Sequence, residues 1–293
     1  TVEEKVRAFE MHRIDLTGGA VLEKGCVYIV PLLEALALPD DISAFANPKS
    51  STGRLDVFTR VISDGATRFD LIRRGYAGPL YAEVSPKTFS IAVRTGSRLT
   101  QLRLRRGMSE VEPEDLIALH DEVGLIDTAF DRAEVTEHRS LTLRLDLAGE
   151  SQNGIVGWRA RHHTGIVDVD RPDHYDPADF WEPVSARRGG IILNPDDFYI
   201  LATREAVTVP PDYAAEMVAY DTLVGEFRVH YAGFFDPGFG WAEAGASAGS
   251  RKDQRAGSRG VLEVRSHDVP FLLEHEQVIG RLRYERLTAR PEK

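Results

Sequence analysis

The sequence has little of what several classes of protein require. Cys26 is the only cysteine among 293 residues, which excludes a disulfide framework and any zinc site built from several cysteines. No apolar run is long enough to span a bilayer, and residues 1–5 do not have the pattern of a signal peptide. We therefore expect a soluble, cytoplasmic protein without a membrane partner. Further residues are expected upstream, because the chain opens at Thr1 rather than Met.

A surplus of positive charge is also absent. The chain has 36 Lys and Arg against 46 Asp and Glu, a formal net charge of −10. This balance argues against nucleic acid as the main partner, although a local basic pocket is compatible with it. The hydrophobic content of 42% is ordinary for a globular protein, and a chain of this length can bury roughly three quarters of its unfolded surface.

Short segments rich in β-branched and aromatic residues predict a mainly β protein. Gly, Pro, Asp and Asn separate these segments and favour turns. The predicted strands are 27–30, 99–104, 141–147, 191–193, 198–201, 261–264 and 279–284. One helix is predicted over 113–123, with acids at its start and Gly124 as its stop. A second short helix is predicted from Ser50 to about Phe58, which would direct its N-terminal amides at an anion.

The chain repeats itself. The residues that recur at a shift of 172 are Pro39, Gly53, Leu55 and Val57, which return as Pro211, Gly225, Phe227 and Val229. Further on, Glu83 and Val84 return as Glu263 and Val264, at a shift of 180. The extra residues fit the Gly- and Ala-rich stretch 241–259, which is typical of a surface loop. We therefore predict a first copy over 1–106, a helical connection over 107–136 and a second copy over 137–293.

One polar stretch of the first copy has the composition of an anion site. Residues Lys49 to Arg54, called the cradle below, combine two cations with three hydroxyls and a glycine. Arg offers a planar fork of donors, Lys a point charge, and hydroxyls with backbone amides suit the remaining phosphate oxygens. Taken singly, the hydroxyls are equally typical of a helix cap.

The matching stretch of the second copy has the opposite charge. The matched residues are Lys49 with Asp221, Ser51 with Leu223, and Arg54 with Glu226. Anions at these positions would repel a polyphosphate. We therefore expect only the first copy to bind an anion in this way.

A hairpin with irregular turns follows the cradle. Residues 66–70 and 75–78 are rich in Gly and Asp, and the strand after them carries Glu83. The second copy has a similar stretch over 232–239 before Glu263, although Asp236-Pro237-Gly238 alone is typical of a plain turn.

Several His and Asp residues between 162 and 176 could supply metal ligands. Two adjacent histidines cannot easily face one ion, and Pro, Gly and Tyr in this stretch indicate an irregular loop. We favour a structural or solvated role for these residues and expect no resident metal.

The order of these motifs resembles that of dCTP deaminase, a member of the trimeric dUTPase superfamily. The resemblance covers residues 25–104 and 189–287, and the tandem arrangement is similar to that of the double-length dCTP deaminases. It implies two tandem copies of a dUTPase-like β-clip, or distorted jelly roll, with a few short helices. It also implies a homo-oligomer, with a trimer favoured.

The resemblance further implies roles for individual residues. The implied catalytic residues are Glu83, Ser50, Arg54 and Glu263. The implied substrate-binding residues are Lys49, Ser51, Ala66, Arg68, Asp70, Tyr76, Ala232 and Asp236. The sequence also departs from the family pattern. Phe234 stands where Arg is expected, the charge of the second cradle is reversed, and the first copy has extra residues between Asp70 and Gly75.

The implied reaction is hydrolysis of dCTP to dUTP and ammonia. The His-x-Glu and Pro-Cys-x-x-Cys pattern of zinc deaminases is absent from the sequence, so we expect chemistry without zinc. A carboxylate in a desolvated pocket can carry both proton transfers if its pKa rises toward neutrality. Magnesium is expected only with the triphosphate of the nucleotide.

Several alternatives remain open at this point. The acid/base is either Glu83 or Glu263, since in this superfamily the cradle and the hairpin come from neighbouring subunits. The same fold would suit a dUTPase, or a bifunctional enzyme that also cleaves the triphosphate. A protein of another class, which binds nucleotide or supports assembly without catalysis, would need only the cradle.

Overall fold

A computed structural model describes residues 1–149, 154–219, 227–230, 233–241, 257–266 and 268–292. The chain divides into two compact units. The first consists of Thr1–Met108 and Ala160–Glu182, and the second of Ser109–Arg159 and Pro183–Lys293. None of the helices in the described ranges has both the length and the apolar character needed to cross a membrane.

Strands dominate both units, and all seven predicted strands are confirmed. The first strands are β1 Ala20–Leu22, β2 Tyr28–Ala37, β3 Ile42–Pro48, β4 Val57–Ser63, β5 Leu71–Ile72, β6 Ala77–Pro86, β7 Ile91–Val93, β8 Thr100–Arg106, β9 Leu141–Arg144 and β10 Ile155–Ala160. The later strands are β11 Val167–Asp168, β12 Trp181–Ser185, β13 Gly190–Leu193, β14 Phe198–Val207, β15 Tyr213–Ala219, β16 Phe227–His230, β17 Phe234–Phe235, β18 Ser258–Ser266, β19 Phe271–Glu274 and β20 Val278–Arg286. The helices are α1 Val2–Phe9, α2 Ser50–Gly53, α3 Pro113–Val123, α4 Arg132–His138 and α5 Pro177–Phe180.

The first unit contains three small sheets. Their strand orders are β2-β6-β4, β5-β3-β8 and β1-β7-β11. Strand β4 alternates buried and half-buried residues, as expected where one face of a sheet packs on a core. Two apolar clusters fill the interior: one gathers around Val57, Val84 and Ile91, and the other around Ala44, Ile72 and Tyr76.

The second unit repeats this arrangement with two larger sheets and one smaller sheet. Its sheets have the orders β12-β10-β14-β18-β16, β17-β15-β20-β9 and β13-β19. Leu22 pairs with Ile91 in the first unit, and Leu193 pairs with Phe271 in the second. These two pairs relate Leu22 to Leu193 at a shift of 171 and Ile91 to Phe271 at a shift of 180. The tandem, mainly β organisation is confirmed.

The two predicted helices had different outcomes. Helix α3 spans Pro113–Val123 as predicted, and Gly124 ends it in the left-handed region at φ 71. Helix α2 was predicted to reach Phe58 but ends at Gly53. Asp56 stands at φ 53, which breaks the helix, and the alternating pattern from Val57 onward then favours a strand.

The segment 160–182, which the sequence predicted to lie in the second copy, belongs to the first unit. Strand β11 extends the sheet of β7 in a parallel manner, and its amide at Val167 donates to the carbonyl of Ser90. The ring of Phe89 meets those of Phe180 and Trp181 edge to face, at 5.7 and 5.5 Å between centroids.

Candidate active site

A cavity of about 370 Å³ opens beside helix α2. Lys49, Ser51 and Thr52 of the cradle line it. The other lining residues are Leu55, Val57, Gly96, Arg98, Leu99, Val169 and Asp170. The structure therefore brings three cradle residues into one cavity, two of which, Lys49 and Ser51, are predicted site residues. Ser50 and Arg54, both exposed, do not line it.

The polar lining of this cavity suits an anion. Lys49 and Arg98 carry positive charge, Ser51 supplies a hydroxyl, and Asp170 is the one acid of the lining residues. Arg98 is not among the residues predicted from the sequence, because no spacing pattern connects it with the cradle. The connection is made by strand pairing, in which the amide of Lys49 donates to the carbonyl of Leu99 at 3.0 Å.

Glu83 has an arginine partner on the neighbouring strand. Strands β4 and β6 pair so that Arg60 stands opposite Glu83, and Nη2 of Arg60 lies 2.7 Å from Oε1 of Glu83. The guanidinium of Arg60 also lies over the ring of Phe69, 3.8 Å from its centroid, and 4.9 Å from the centroid of Phe58. These cation–π contacts hold the arginine in place, so Glu83 is held in one orientation.

Asp70 completes this group of charges. Its backbone is left-handed at φ 62, and its Oδ1 accepts a hydrogen bond of 2.7 Å from the amide of Val61. Burial raises the pKa of Asp70 to about 6. The hydrogen bond from Val61 and the charge of Arg60 act in the opposite direction, while the charge of Glu83 adds to the rise. Arg60, Glu83 and Asp70 are called the charged cluster below.

The predicted hairpin differs from its expected form. The strands that pair are β4 and β6, and residues 64–76, called the 64–76 loop below, connect them. Strand β5 in this loop pairs with β3 in a different sheet. The loop therefore crosses between two sheets, which explains its extra residues.

The remaining predicted residues of the first copy lie in or next to the 64–76 loop. Ala66 and Arg68 are exposed. Tyr76 is buried, and its hydroxyl donates to the carbonyl of Pro79 at 2.5 Å and accepts from the amide of Asp64 at 3.2 Å. Tyr76 therefore supports the loop from the interior.

In the second copy the described residues give only part of the predicted site. Glu263 lies on β18 with 5% of its surface exposed, opposite Ile200 of β14 and His230 of β16. Asp236 is exposed after β17. The predicted residues Ala232, Asp221, Leu223 and Glu226 lie outside the described residues.

The acids of the 162–176 stretch have an arginine partner. Nη2 of Arg94 lies 2.6 Å from Asp168, and its Nη1 lies 3.2 Å from Asp170. The hydrogen bond from Arg94 holds the pKa of Asp168 below its ordinary value. Across the described ranges, no group of three or more His, Cys, Asp and Glu side chains is placed to hold a metal ion.

Arg60 is the residue of the charged cluster that was not predicted from the sequence. Alternation along β4 places Arg60 on the face opposite Val57, Thr59 and Val61. That period-two pattern is visible in the sequence, but the pairing with Glu83 depends on strand register.

Two family descriptions match the chain. The N-terminal domain of 2'-deoxycytidine 5'-triphosphate deaminase (DCD) matches residues 1–108, and the C-terminal domain of the same enzyme matches residues 112–293. A search among curated proteins found no match.

A solved structure is also similar. The crystal structure of 2'-deoxycytidine 5'-triphosphate deaminase from Agrobacterium tumefaciens aligns with a TM-score of 0.89 and 56% sequence identity. The alignment covers 98% of this chain and 82% of that chain. It confirms the dUTPase-like fold. Since the family matches span nearly all residues and the identity extends over the full alignment, the chain belongs to the dCTP deaminase family.

Proposed function

We propose that this member of the dCTP deaminase family hydrolyses dCTP to dUTP and ammonia without zinc, using Glu83 to move the protons. The observation that supports the role of Glu83 is its 2.7 Å contact with Arg60 beside Asp70. A proton-transfer group must be held in place and must lie where water can reach it. Glu83 meets both conditions, since 18% of its side chain is exposed and Arg60 fixes its orientation.

The reaction needs two proton transfers, and one carboxylate can perform both. Glu83 takes a proton from water and passes it to ring nitrogen N3 while the hydroxide bonds to C4. It then moves the proton of the new hydroxyl to the amino nitrogen, the C4–N bond breaks, and ammonia leaves. General acid–base catalysis of this kind contributes on the order of 10² to 10⁴ in rate.

The triphosphate would bind in the cavity of the cradle. Lys49 and Ser51 line that cavity, and Glu83 does not. We therefore propose that each site combines the cradle of one chain with the charged cluster of a neighbouring copy, in a homo-oligomer for which a trimer is favoured. Magnesium would enter with the triphosphate, as it does for most nucleotide substrates.

Two matched substitutions test the role of Glu83. Glu83→Gln removes the proton acceptor and keeps the shape of the side chain, so ammonia release from dCTP should fall by roughly 10² to 10⁴ while dCTP binding is retained. Glu263→Gln makes the same change in the second copy and should leave turnover near that of the wild type. Ammonia and pyrophosphate are both measured, because pyrophosphate release would identify a dUTPase or a bifunctional enzyme.

The opposite pattern would move the role to the second copy. Loss of activity in Glu263→Gln, with Glu83→Gln active, would assign the acid/base to strand β18. Absence of ammonia release from the wild-type protein, with dCTP still bound, would favour a nucleotide-binding protein without catalysis.

A further inference from the structure

One wall of the cradle cavity comes from a distant part of the sequence. Val169 and Asp170 line the cavity together with the cradle residues, and both lie in segment 160–182. This segment is attached by backbone pairing, because the amide of Val169 donates to the carbonyl of Ala92 at 3.2 Å. A second attachment is made by the amide of Val167, which donates to the carbonyl of Ser90 at 3.1 Å.

Asp170 is bonded to the turn that carries another part of the lining. The turn closes with a hydrogen bond of 3.0 Å from the amide of Ser97 to the carbonyl of Arg94. The hydroxyl of Ser97 accepts from the amide of Arg94 and donates to Oδ2 of Asp170. The guanidinium of Arg94 bridges Asp168 and Asp170. These bonds hold the 94–97 turn, which immediately precedes Arg98.

Two cations that line the cavity, Lys49 and Arg98, are not paired with an acid among the described residues. Asp170 has its ion pair with Arg94. Neither Lys49 nor Arg98 has a carboxylate within ion-pair distance among the residues that the structure describes. Two such cations in one cavity with the Ser51 hydroxyl suit several phosphate oxygens better than one.

We infer that Arg98 is a further triphosphate-binding residue and that Asp170 is a positioning residue, which holds the 94–97 turn so that Arg98 faces the cavity. This inference rests on the proposed function, because it names the part of the cavity that receives the outer phosphates. Segment 160–182 then has a role in the nucleotide site of the first unit, although it lies within the sequence of the second copy.

The substitution Arg98→Ala tests the binding role. A hydrogen bond to a charged group typically contributes enough that its loss should raise KM for dCTP roughly 10- to 100-fold, with kcat nearly unchanged. The increase should be smaller for dCMP, which lacks the outer phosphates. Arg13→Ala is the matched control, because Arg13 is exposed and pairs with Glu10 outside this cavity. An unchanged KM in Arg98→Ala would overturn the assignment.

Binding of inorganic tripolyphosphate, measured by calorimetry, separates this inference from the proposed reaction. If the wild-type protein releases no ammonia but binds tripolyphosphate, and Arg98→Ala binds it at least tenfold more weakly, the proposed reaction fails and the phosphate site stands. If wild type and Arg98→Ala bind it equally, the phosphate role of Arg98 fails, whatever the protein does to dCTP.

The substitution Asp170→Ala distinguishes a charge effect from a positioning role, because the two predict opposite changes in the affinity for triphosphate. Removing an acid from an anion site should strengthen triphosphate binding if charge alone matters. A positioning role predicts weaker binding, because the 94–97 turn loses its anchor. Ser97→Ala removes only the hydroxyl of the same contact and should weaken binding in the same direction, which keeps the test valid if Asp170→Ala does not fold. Tighter binding in either folded variant would rule out the positioning role.

Discussion

At the scale of single residues, ionisation of Asp70 in the charged cluster lowers the stability of the folded protein. Asp70 is held by the amide of Val61 in a left-handed backbone conformation, which Asp and Asn adopt more readily than most residues. Burial raises its pKa in the folded protein from 3.8 to about 6. Its ionised form is therefore less favourable in the folded protein than in the unfolded chain.

The contribution of Asp70 to the free energy of unfolding should consequently fall as the pH rises from about 4 to about 6. Between these values the folded protein keeps a proton on Asp70 that the unfolded chain has lost. Asp70→Asn keeps the acceptor for Val61 and cannot ionise. It should therefore be more stable than the wild type above pH 6, by about 1 to 2 kcal/mol once solvent screening of this partly exposed carboxyl reduces the full effect, and the difference should vanish toward pH 4. Denaturant unfolding at several pH values measures this.

The exposed Asp268 provides the control. Asp268→Asn should follow the wild-type curve of stability against pH. If Asp70→Asn followed it as well, the carboxyl of Asp70 would titrate at its ordinary value, and burial would not govern its ionisation.

At the scale of elements, the sequence predicts those features of a helix that its neighbouring residues determine, such as where it begins and ends. Helix α3 has Pro113 at its start and Gly124 at its end, and both limits can be read from neighbouring residues. The pairing of Arg60 with Glu83 could not be predicted in this way. A change of register by one residue would move either side chain to the other face of its strand, and the register is set by contacts along the full length of β4 and β6.

The 64–76 loop depends on one glycine. Gly75 has φ 63, its amide donates to the carbonyl of Pro39, and an added Cβ would lie 2.5 Å from Oδ1 of Asp40. The left-handed conformation costs an L-residue roughly 1–2 kcal/mol. Gly75→Ala should lower the free energy of unfolding by about this amount, and it should reduce kcat because the same loop carries Asp70.

Gly18→Ala is the matched change in open space, since nothing lies within 4 Å of the Cβ that it would add. Denaturant unfolding and ammonia release of both variants make the comparison. Equal stability of the two variants would show that the loop adapts without strain at Gly75.

At the scale of the molecule, the repeat was visible in the sequence because a few apolar and acidic residues recur at nearly constant spacing. The position of segment 160–182 was not visible. Its attachment consists of backbone bonds from β11 to β7 and aromatic contacts around Phe89, and neither leaves a local pattern. The two copies therefore differ in two ways. Segment 160–182 is attached to the first, and the charges of their cradles have opposite signs.

If each site takes its cradle and its acid from different chains, two inactive variants should restore activity to one another. The first variant is Glu83→Gln. The second is Lys49→Asp with Arg54→Glu, which gives the cradle the charges found at Asp221 and Glu226 of the second copy. Each variant alone has no complete site. In an oligomer assembled at random from both chains, a site is complete when an intact cradle meets an intact acid.

Random assembly of the co-expressed variants should therefore restore about a quarter of the wild-type ammonia release per site, whatever the size of a closed ring. Sites built within one chain would give none, because every chain lacks either the cradle or the acid. The control is a triple variant that carries Glu83→Gln, Lys49→Asp and Arg54→Glu on one chain, and mixing it with either parent variant should restore nothing. Recovery in that control, or no recovery in the main mixture, would contradict a site shared between copies, since only a shared site depends on which chain carries which defect.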